Sequence, residues 1–177
     1  MSRARLATVW LDGCSGCHMS LFDIDERMID LTTKVDLVYS PLVDQKDFPE
    51  GVDIVLVEGA VSSEEDLHKI RLIRERSRVL LSLGDCAVTS NVPGMRNPFG
   101  TEAVLRRAFL ETAALQAQIP TTVIPALLPR VWPVHEAVKV DVFVPGCPPS
   151  ADTIFYTLTE LLEGRMPDLA AMSRFGA

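Results

Sequence analysis

Two cysteines separated by a serine and a glycine stand in the run Asp12-Gly13-Cys14-Ser15-Gly16-Cys17; a third lies in Gly84-Asp85-Cys86-Ala87 and a fourth in Pro145-Gly146-Cys147-Pro148-Pro149. The chain of 177 residues has no other cysteine. Each sits in a turn of small residues or proline, and at least three of those turns follow an apolar run that reads as a β-strand. In an open α/β sheet the loops at the carboxyl ends of parallel strands converge on one edge, so ligands about seventy and sixty residues apart in sequence can meet there. Four thiolates at one place are the ligand set of a 4Fe-4S cluster.

Other chemistries compete for the same residues. Cys14-Ser15-Gly16-Cys17 followed by His18 matches the attachment pattern of c-type haem. That attachment needs export and leaves Cys86 and Cys147 idle. A thioredoxin-like dithiol also uses Cys-x-x-Cys after a strand, and it too ignores the other two. A structural zinc ion takes four cysteines but usually from two close pairs, and only one close pair exists here. Inert cysteines pack as small hydrophobes, which four cysteines all placed in turns do not resemble. Local detail favours the cluster. Gly13 and Gly16 let backbone N–H groups approach its sulfides. Cys147-Pro148 matches the Cys-Pro ending of ferredoxin motifs, and Cys17 and Cys147 fall at or just before expected helix starts, where thiolate is favoured.

The elements that position these turns follow from hydrophobic periodicity. Arg5 to Leu11 reads as a first strand, and Met19, Leu21, Phe22, Ile24, Met28, Ile29 and Leu31 recur at helical spacing after it. Strands follow at Val35 to Tyr39, Val52 to Val57, Val79 to Leu83 and Val138 to Val144. A helix with Ser62 or Ser63 as cap carries Leu67, Ile70, Leu72 and Ile73. Ser90 to Gly100 reads as a loop and about Thr101 to Ala114 as a helix. Thr121 to His135, with Pro125, Pro129 and Pro133, reads as an irregular excursion. A final helix opens at Ser150 and Asp152 and runs to about Glu163. Alternating strands and helices predict a parallel sheet covered on both faces, in one domain.

Composition bounds the partners. With 24 acidic against 17 basic residues and a formal charge of -7, the chain lacks a basic run, which argues against nucleic acid or an anionic membrane surface. No apolar stretch reaches the roughly eighteen residues of a membrane span. The basic start Met1-Ser2-Arg3-Ala4-Arg5 precedes an apolar run too short for a signal peptide, so the chain is expected in the cytoplasm, where thiols stay reduced and available to metal. A hydrophobic content of 47% and mean hydropathy of +0.19 point to a covered interface. Together with the proline-rich stretch from Ile119 to Pro133, they predict a permanent hetero-interface above roughly 2,000 Å².

On Asp12-Gly13-Cys14-Ser15-Gly16-Cys17-His18, Val57-Glu58-Gly59-Ala60, Gly84-Asp85-Cys86-Ala87 and Pro145-Gly146-Cys147-Pro148-Pro149, the chain resembles the small subunit of NiFe hydrogenases, most nearly the cytoplasmic, bidirectional NAD-reducing group. The likeness spans nearly the whole chain. It implies a flavodoxin-like three-layer fold with a five-stranded parallel sheet over residues 1–177. It implies one 4Fe-4S cluster on Cys14, Cys17, Cys86 and Cys147. It also implies a separate large subunit bearing the nickel-iron site, and a diaphorase module with iron-sulfur clusters, FMN and NAD. The twin-arginine signal and two-cluster domain of membrane-bound and periplasmic relatives are not expected, nor the ferredoxin-like extension of deazaflavin-reducing ones. The related complex I subunit resembles the chain around Pro145 to Pro149, but that family has adjacent cysteines where Ser15 and Gly16 intervene here. A hydrogenase using another acceptor, a quinone-linked complex I type subunit and a zinc-stabilised scaffold are the alternatives.

Beside the cysteines, Glu58 closes a buried strand and matches the family's Val-Glu-Gly motif, as a group for passing protons or for capping a neighbouring helix. His18 is a candidate partner of a cluster sulfide or the large subunit, or else a solvated turn residue, and Ser15 a candidate hydrogen-bonding group. Asp12 and Asp85 flank ligand turns as holders of backbone N–H groups. Trp132, Pro133, His135 and Glu136 read as interface packing. FMN is not expected on this chain, because the loop that would cradle its phosphate, Gly13 to Cys17, is occupied by ligands. No catalytic dyad, P-loop or dinucleotide fingerprint appears, and no second Cys-x-x-Cys is present to hold nickel.

Overall fold

A computed structural model of the chain describes residues 3–170 and Met172; Met1 and Ser2 of the basic start lie outside the described residues. In chain order the elements are β1 (Ala4–Trp10), α1 (Gly16–Phe22), α2 (Arg27–Lys34), β2 (Val35–Tyr39), β3 (Val52–Glu58), β4 (Val61–Ser63), α3 (Glu64–Arg76), β5 (Ser77–Leu83), α4 (Asp85–Thr89), α5 (Asn91–Gly94), α6 (Thr101–Arg106), β6 (Leu127–Trp132), α7 (Val134–Ala137), β7 (Val142–Val144) and α8 (Ala151–Leu162).

Five strands form one parallel sheet in the order β2-β1-β3-β5-β7. The order turns back between β1 and β3, the switch point at which flavodoxin-like sheets open their ligand crevice. β3 is the central strand, and Ile54 to Glu58 are each no more than 2% exposed. Such a strand is apolar throughout because both of its faces are covered. Alternation then sorts its residues. Ile54 and Leu56 join Leu21, Leu31, Ile154 and Leu158 under α1, α2 and α8, while Val55 and Val57 join Ile70, Ile73 and Val134 under α3 and α7. Each fully buried Val, Ile or Leu contributes roughly 1.5–3 kcal/mol. The fold is therefore the expected three-layer, flavodoxin-like one.

Local chemistry sets the boundaries. Ser63 caps α3 by accepting the Asp66 N–H at 3.1 Å, while the Asp66 carboxylate accepts the Ser63 N–H at 3.0 Å, a reciprocal capping box. β7 starts later than Val138. Asp141 instead joins β5 as a substitute strand residue, its N–H donating to Leu80 O at 2.9 Å and its carboxylate accepting Leu80 N–H at 2.9 Å.

Four further expectations need correction. The first helix is two, broken over residues 23–26, where Asp25 takes φ 56°. The Ser90 to Gly100 segment contains the helical turn α5. The helix from Thr101 ends as a wider, π-helical turn at Arg107–Glu111 and does not reach Ala114. Part of the excursion at Thr121 to His135 is the strand β6, antiparallel to β4 with Val61 opposite Trp132. Pro129 fits there because a two-stranded ribbon tolerates a missing N–H.

Candidate metal centre

The loops that follow β1, β3, β5 and β7 are bound to one another in two pairs at the carboxyl edge of the sheet. In the first pair, Leu11 N–H donates to Glu58 O at 2.8 Å, and Asp12 and Ala60 exchange backbone bonds at 3.1 and 2.7 Å. The crossing requires a glycine at 59: φ is 91°, and a Cβ there would stand 2.8 Å from Leu11 C. In the second pair, Gly84 N–H donates to Val144 O at 2.8 Å and Asp85 N–H to Gly146 O at 2.9 Å. The buried Asp85 carboxylate accepts Gly146 N–H at 2.7 Å. Ser20 on α1 ties the halves together, its hydroxyl donating to Pro149 O at 2.6 Å.

These loops place Cys14, Cys17, Cys86 and Cys147 around one cavity of about 60 Å³, lined also by Gly16, Glu58, Asp85, Gly146 and Pro148. All four expected ligands therefore meet. None is in a disulfide; Cys17 is buried, Cys86 half-buried, and Cys14 and Cys147 exposed. The sulfurs feel one another. Burial, then the Glu58 carboxylate, then the other three cysteines push the Cys17 thiol far up from its ordinary value. Burial pushes Cys86 up to about 11, against a hydrogen bond from the Val92 N–H and with Cys147, Cys14 and Glu58 adding to the rise. A cation at the centre of the four would reverse this repulsion and hold them as thiolates. Among the described residues no three His, Cys, Asp or Glu groups close on one point as a single metal ion requires.

Glu58 is buried at the end of β3 and turns its carboxylate onto the start of α1. It accepts His18 N–H at 3.0 Å and Cys17 N–H at 3.4 Å, and its Oε2 also bonds His18 Nδ1. The helix-capping alternative for Glu58 is thus observed. His18 is not a solvated turn residue: it lies in α1, 3% exposed, with Nε2 buried and unpartnered among the described residues. Ser15 takes the left-handed conformation, φ 68°, and its carbonyl accepts Met19 N–H at 3.1 Å. Asp85 holds a backbone N–H as expected, whereas Asp12 is exposed and joins by its backbone. Trp132 packs against the core under α3 and α7, Arg130 pairs with Glu136, and His135 stacks edge-on with Phe143 at 5.7 Å. Sequence reasoning missed Asn91, whose Nδ2 donates to Cys147 Sγ at 3.6 Å; its nearness to Cys86 in sequence was the available signal.

Two donor properties fit an iron-sulfur cluster. The donors are all sulfur, and they rim a cavity with backbone N–H groups close by, as with Gly16 N–H at 3.4 Å from Cys14 Sγ.

Residues 14–161 match the family described as NADH ubiquinone oxidoreductase, 20 Kd subunit. The chain is 42% identical over 172 residues to the NAD-reducing hydrogenase HoxS subunit delta of Cupriavidus necator, covering 94% of this chain and 82% of that one. It is 36% identical over 167 residues to a subunit of the F420-non-reducing hydrogenase vhu of Methanocaldococcus jannaschii, covering 93% of this chain and 58% of that longer one. Among solved structures, one chain of an NAD+-reducing [NiFe]-hydrogenase in the H2-reduced state superposes with a TM-score of 0.94 at 39% identity, covering 98% of this chain and 99% of that one.

Proposed function

The chain belongs to the NADH ubiquinone oxidoreductase 20 Kd subunit family, alongside the small subunits of NAD-reducing and other NiFe hydrogenases, and from that premise we propose that it is the electron-transfer subunit of an NAD-reducing hydrogenase. Cys14, Cys17, Cys86 and Cys147 hold one 4Fe-4S cluster on a single flavodoxin-like domain, residues 1–177. When bound, that group supplies a one-electron relay between dihydrogen oxidised at the nickel-iron site of a large subunit and a diaphorase carrying iron-sulfur clusters, FMN and NAD.

One observation carries the reading: four cysteines from three loops line one cavity at the carboxyl edge of the sheet. Ligands spread round a cavity suit a cluster core better than a single ion, which sets this reading above a zinc scaffold. The cysteine spacing and the likeness to hydrogenase subunits set it above a quinone-linked complex I type subunit. Hydrogenases with another acceptor remain the nearest alternative, since the relatives include F420-non-reducing ones.

The chain's own residues prepare the site. Gly84 and Asp85 lock the β5 loop to the β7 loop, so Cys86 and Cys147 arrive in fixed relation. Glu58 orients α1, hence Cys17. Buried beside the ligands and bonded to His18, it is also placed to hold a proton, the role proposed for it in dihydrogen turnover. Large apolar groups stand exposed near this edge, Trp10 and Met19 among them, and support a permanent interface with the large subunit. No helix among the described residues is long and apolar enough to cross a membrane, in keeping with a cytoplasmic place for the complex.

The test is the composition of the purified complex. Iron and acid-labile sulfide near about four each per small subunit, with a brown colour, are expected. The Cys147→Ser complex should lose that iron. Zinc in place of iron, or unchanged iron in the Cys147→Ser protein, overturns the ligand assignment.

A further inference from the structure

Between α4 and α5 the chain turns through two consecutive residues of positive φ, Ser90 at 68° and Asn91 at 24°. These angles are costly for residues with side chains, though least so for asparagine. Strain of this kind persists where the surroundings over-determine it, and it gathers at functional sites. Here the surroundings are ligands. Ser90 N–H donates to Cys86 O at 3.1 Å, and Gly94 N–H donates to Ser90 O at 2.8 Å, so the turn is held from both sides. Its side-chain donor then points at sulfur: Asn91 Nδ2 lies 3.6 Å from Cys147 Sγ. A length of 3.6 Å is ordinary for nitrogen on sulfur, whose radius exceeds that of oxygen. One short turn is thus tied to the backbone of Cys86 and reaches the sulfur of Cys147, which comes from a different loop of the sheet.

We propose that the turn at Ser90 and Asn91 is a redox-tuning clip, in which Asn91 Nδ2–H holds the cluster potential above the value the cysteines alone would set. The inference rests on the cluster reading above and adds to it a positioning and tuning residue, Asn91. A donor on a ligand sulfur draws off negative charge, and the reduced state carries one more unit of it, so the bond stabilises the reduced state more. The couple is balanced by a single electron from the titrant, with no bond made or broken and no proton moved. Asn91 and Cys147 are both exposed in the isolated chain. A partner surface covering that rim excludes competing water and strengthens the bond.

The test uses the purified complex and two variants. Asn91→Gly keeps access to positive φ and deletes the donor. Asn91→Asp keeps the shape and replaces the donor with an anionic acceptor. Midpoint potentials, read by potentiometric titration with spectroscopic detection, should fall in the order wild type, Asn91→Gly, Asn91→Asp, at unchanged iron and sulfide. Coincident midpoints overturn the proposal. Loss of iron from both variants also overturns it, by assigning Asn91 a holding task instead. A wild-type complex without an iron-sulfur signal overturns the cluster reading itself, an outcome distinct from the other two.

Discussion

A Cβ atom on Gly84 would stand 2.2 Å from the sulfur of Cys17. The buried Cys17 side chain therefore rests on bare backbone where β5 turns into α4, and the absence of a side chain there is what lets α1 bring Cys17 to the edge of the sheet. Gly84 also holds φ 82°. A Gly84→Ala substitution combines the backbone cost of positive φ, roughly 1–2 kcal/mol, with an overpacking cost of about 1–3 kcal/mol. It should lower the chain's stability by a few kcal/mol and displace Cys17. Urea denaturation and iron analysis of the Gly84→Ala protein check this. A wild-type midpoint with full iron would show that the two residues are not in contact.

The metal-free chain should show graded thiol reactivity. Cys14 and Cys147 are exposed and Cys17 is buried. The Cys86 thiol, pushed up to about 11 by burial, carries little thiolate at neutral pH. Alkylation followed by mass spectrometry should modify Cys14 and Cys147 first and Cys17 last. Loading with metal must expel the protons held by Cys17 and Cys86, so apparent metal affinity should rise with pH. Uniform alkylation of all four would mean that the cavity is open in the metal-free state.

Asp141 predicts a pH-dependent term in stability. Burial pushes its carboxyl up, but the Leu80 N–H, the Arg74 guanidinium at 2.5 Å and Lys139 together hold it below the ordinary value. A carboxylate lowered in the folded state stabilises fully above its unfolded value, about 4. That contribution is lost as pH falls through the lower folded value. Asp141→Asn should cost about 1–3 kcal/mol at neutral pH and flatten the acid limb of the stability curve. Thermal denaturation between neutral and acid pH compares the two proteins; parallel curves would remove Asp141 from the account.

Much of the site is legible in the sequence because its determinants are local. Each cysteine turn follows a strand whose apolar run is visible there, and the strand from Val35 to Tyr39 has in the structure the bounds its apolar residues predict. What escapes depends on distant partners. β6 forms because β4 offers it an edge, although the spacing of its prolines argues for irregular chain. His18 is buried because Glu58, from another strand, comes up beneath the start of α1. Asn91 lies in a segment whose composition reads as loop, and only the arrival of Cys147 beside it gives its amide a partner. No spacing rule encodes such meetings.

Glu58 offers the sharpest test of the proposed function, in which protons would leave a buried site while electrons leave through the small subunit. Its two oxygens accept His18 N–H at 3.0 Å and Cys17 N–H at 3.4 Å as well as bonding the His18 ring. In Glu58→Gln one oxygen remains an acceptor, while the amide nitrogen can only donate and cannot carry a proton through ionisation. The variant therefore removes acid–base function and one acceptor at the start of α1. If Glu58 passes protons, dihydrogen-driven NAD reduction should fall by about ten-fold or more, while iron content and NADH-driven dye reduction by the diaphorase hold steady. Loss of iron would show that the anchoring of Cys17 is what Glu58 supplies. Near wild-type rates in both dihydrogen assays would place the proton route in the large subunit and leave Glu58 as the residue that holds α1 to the sheet.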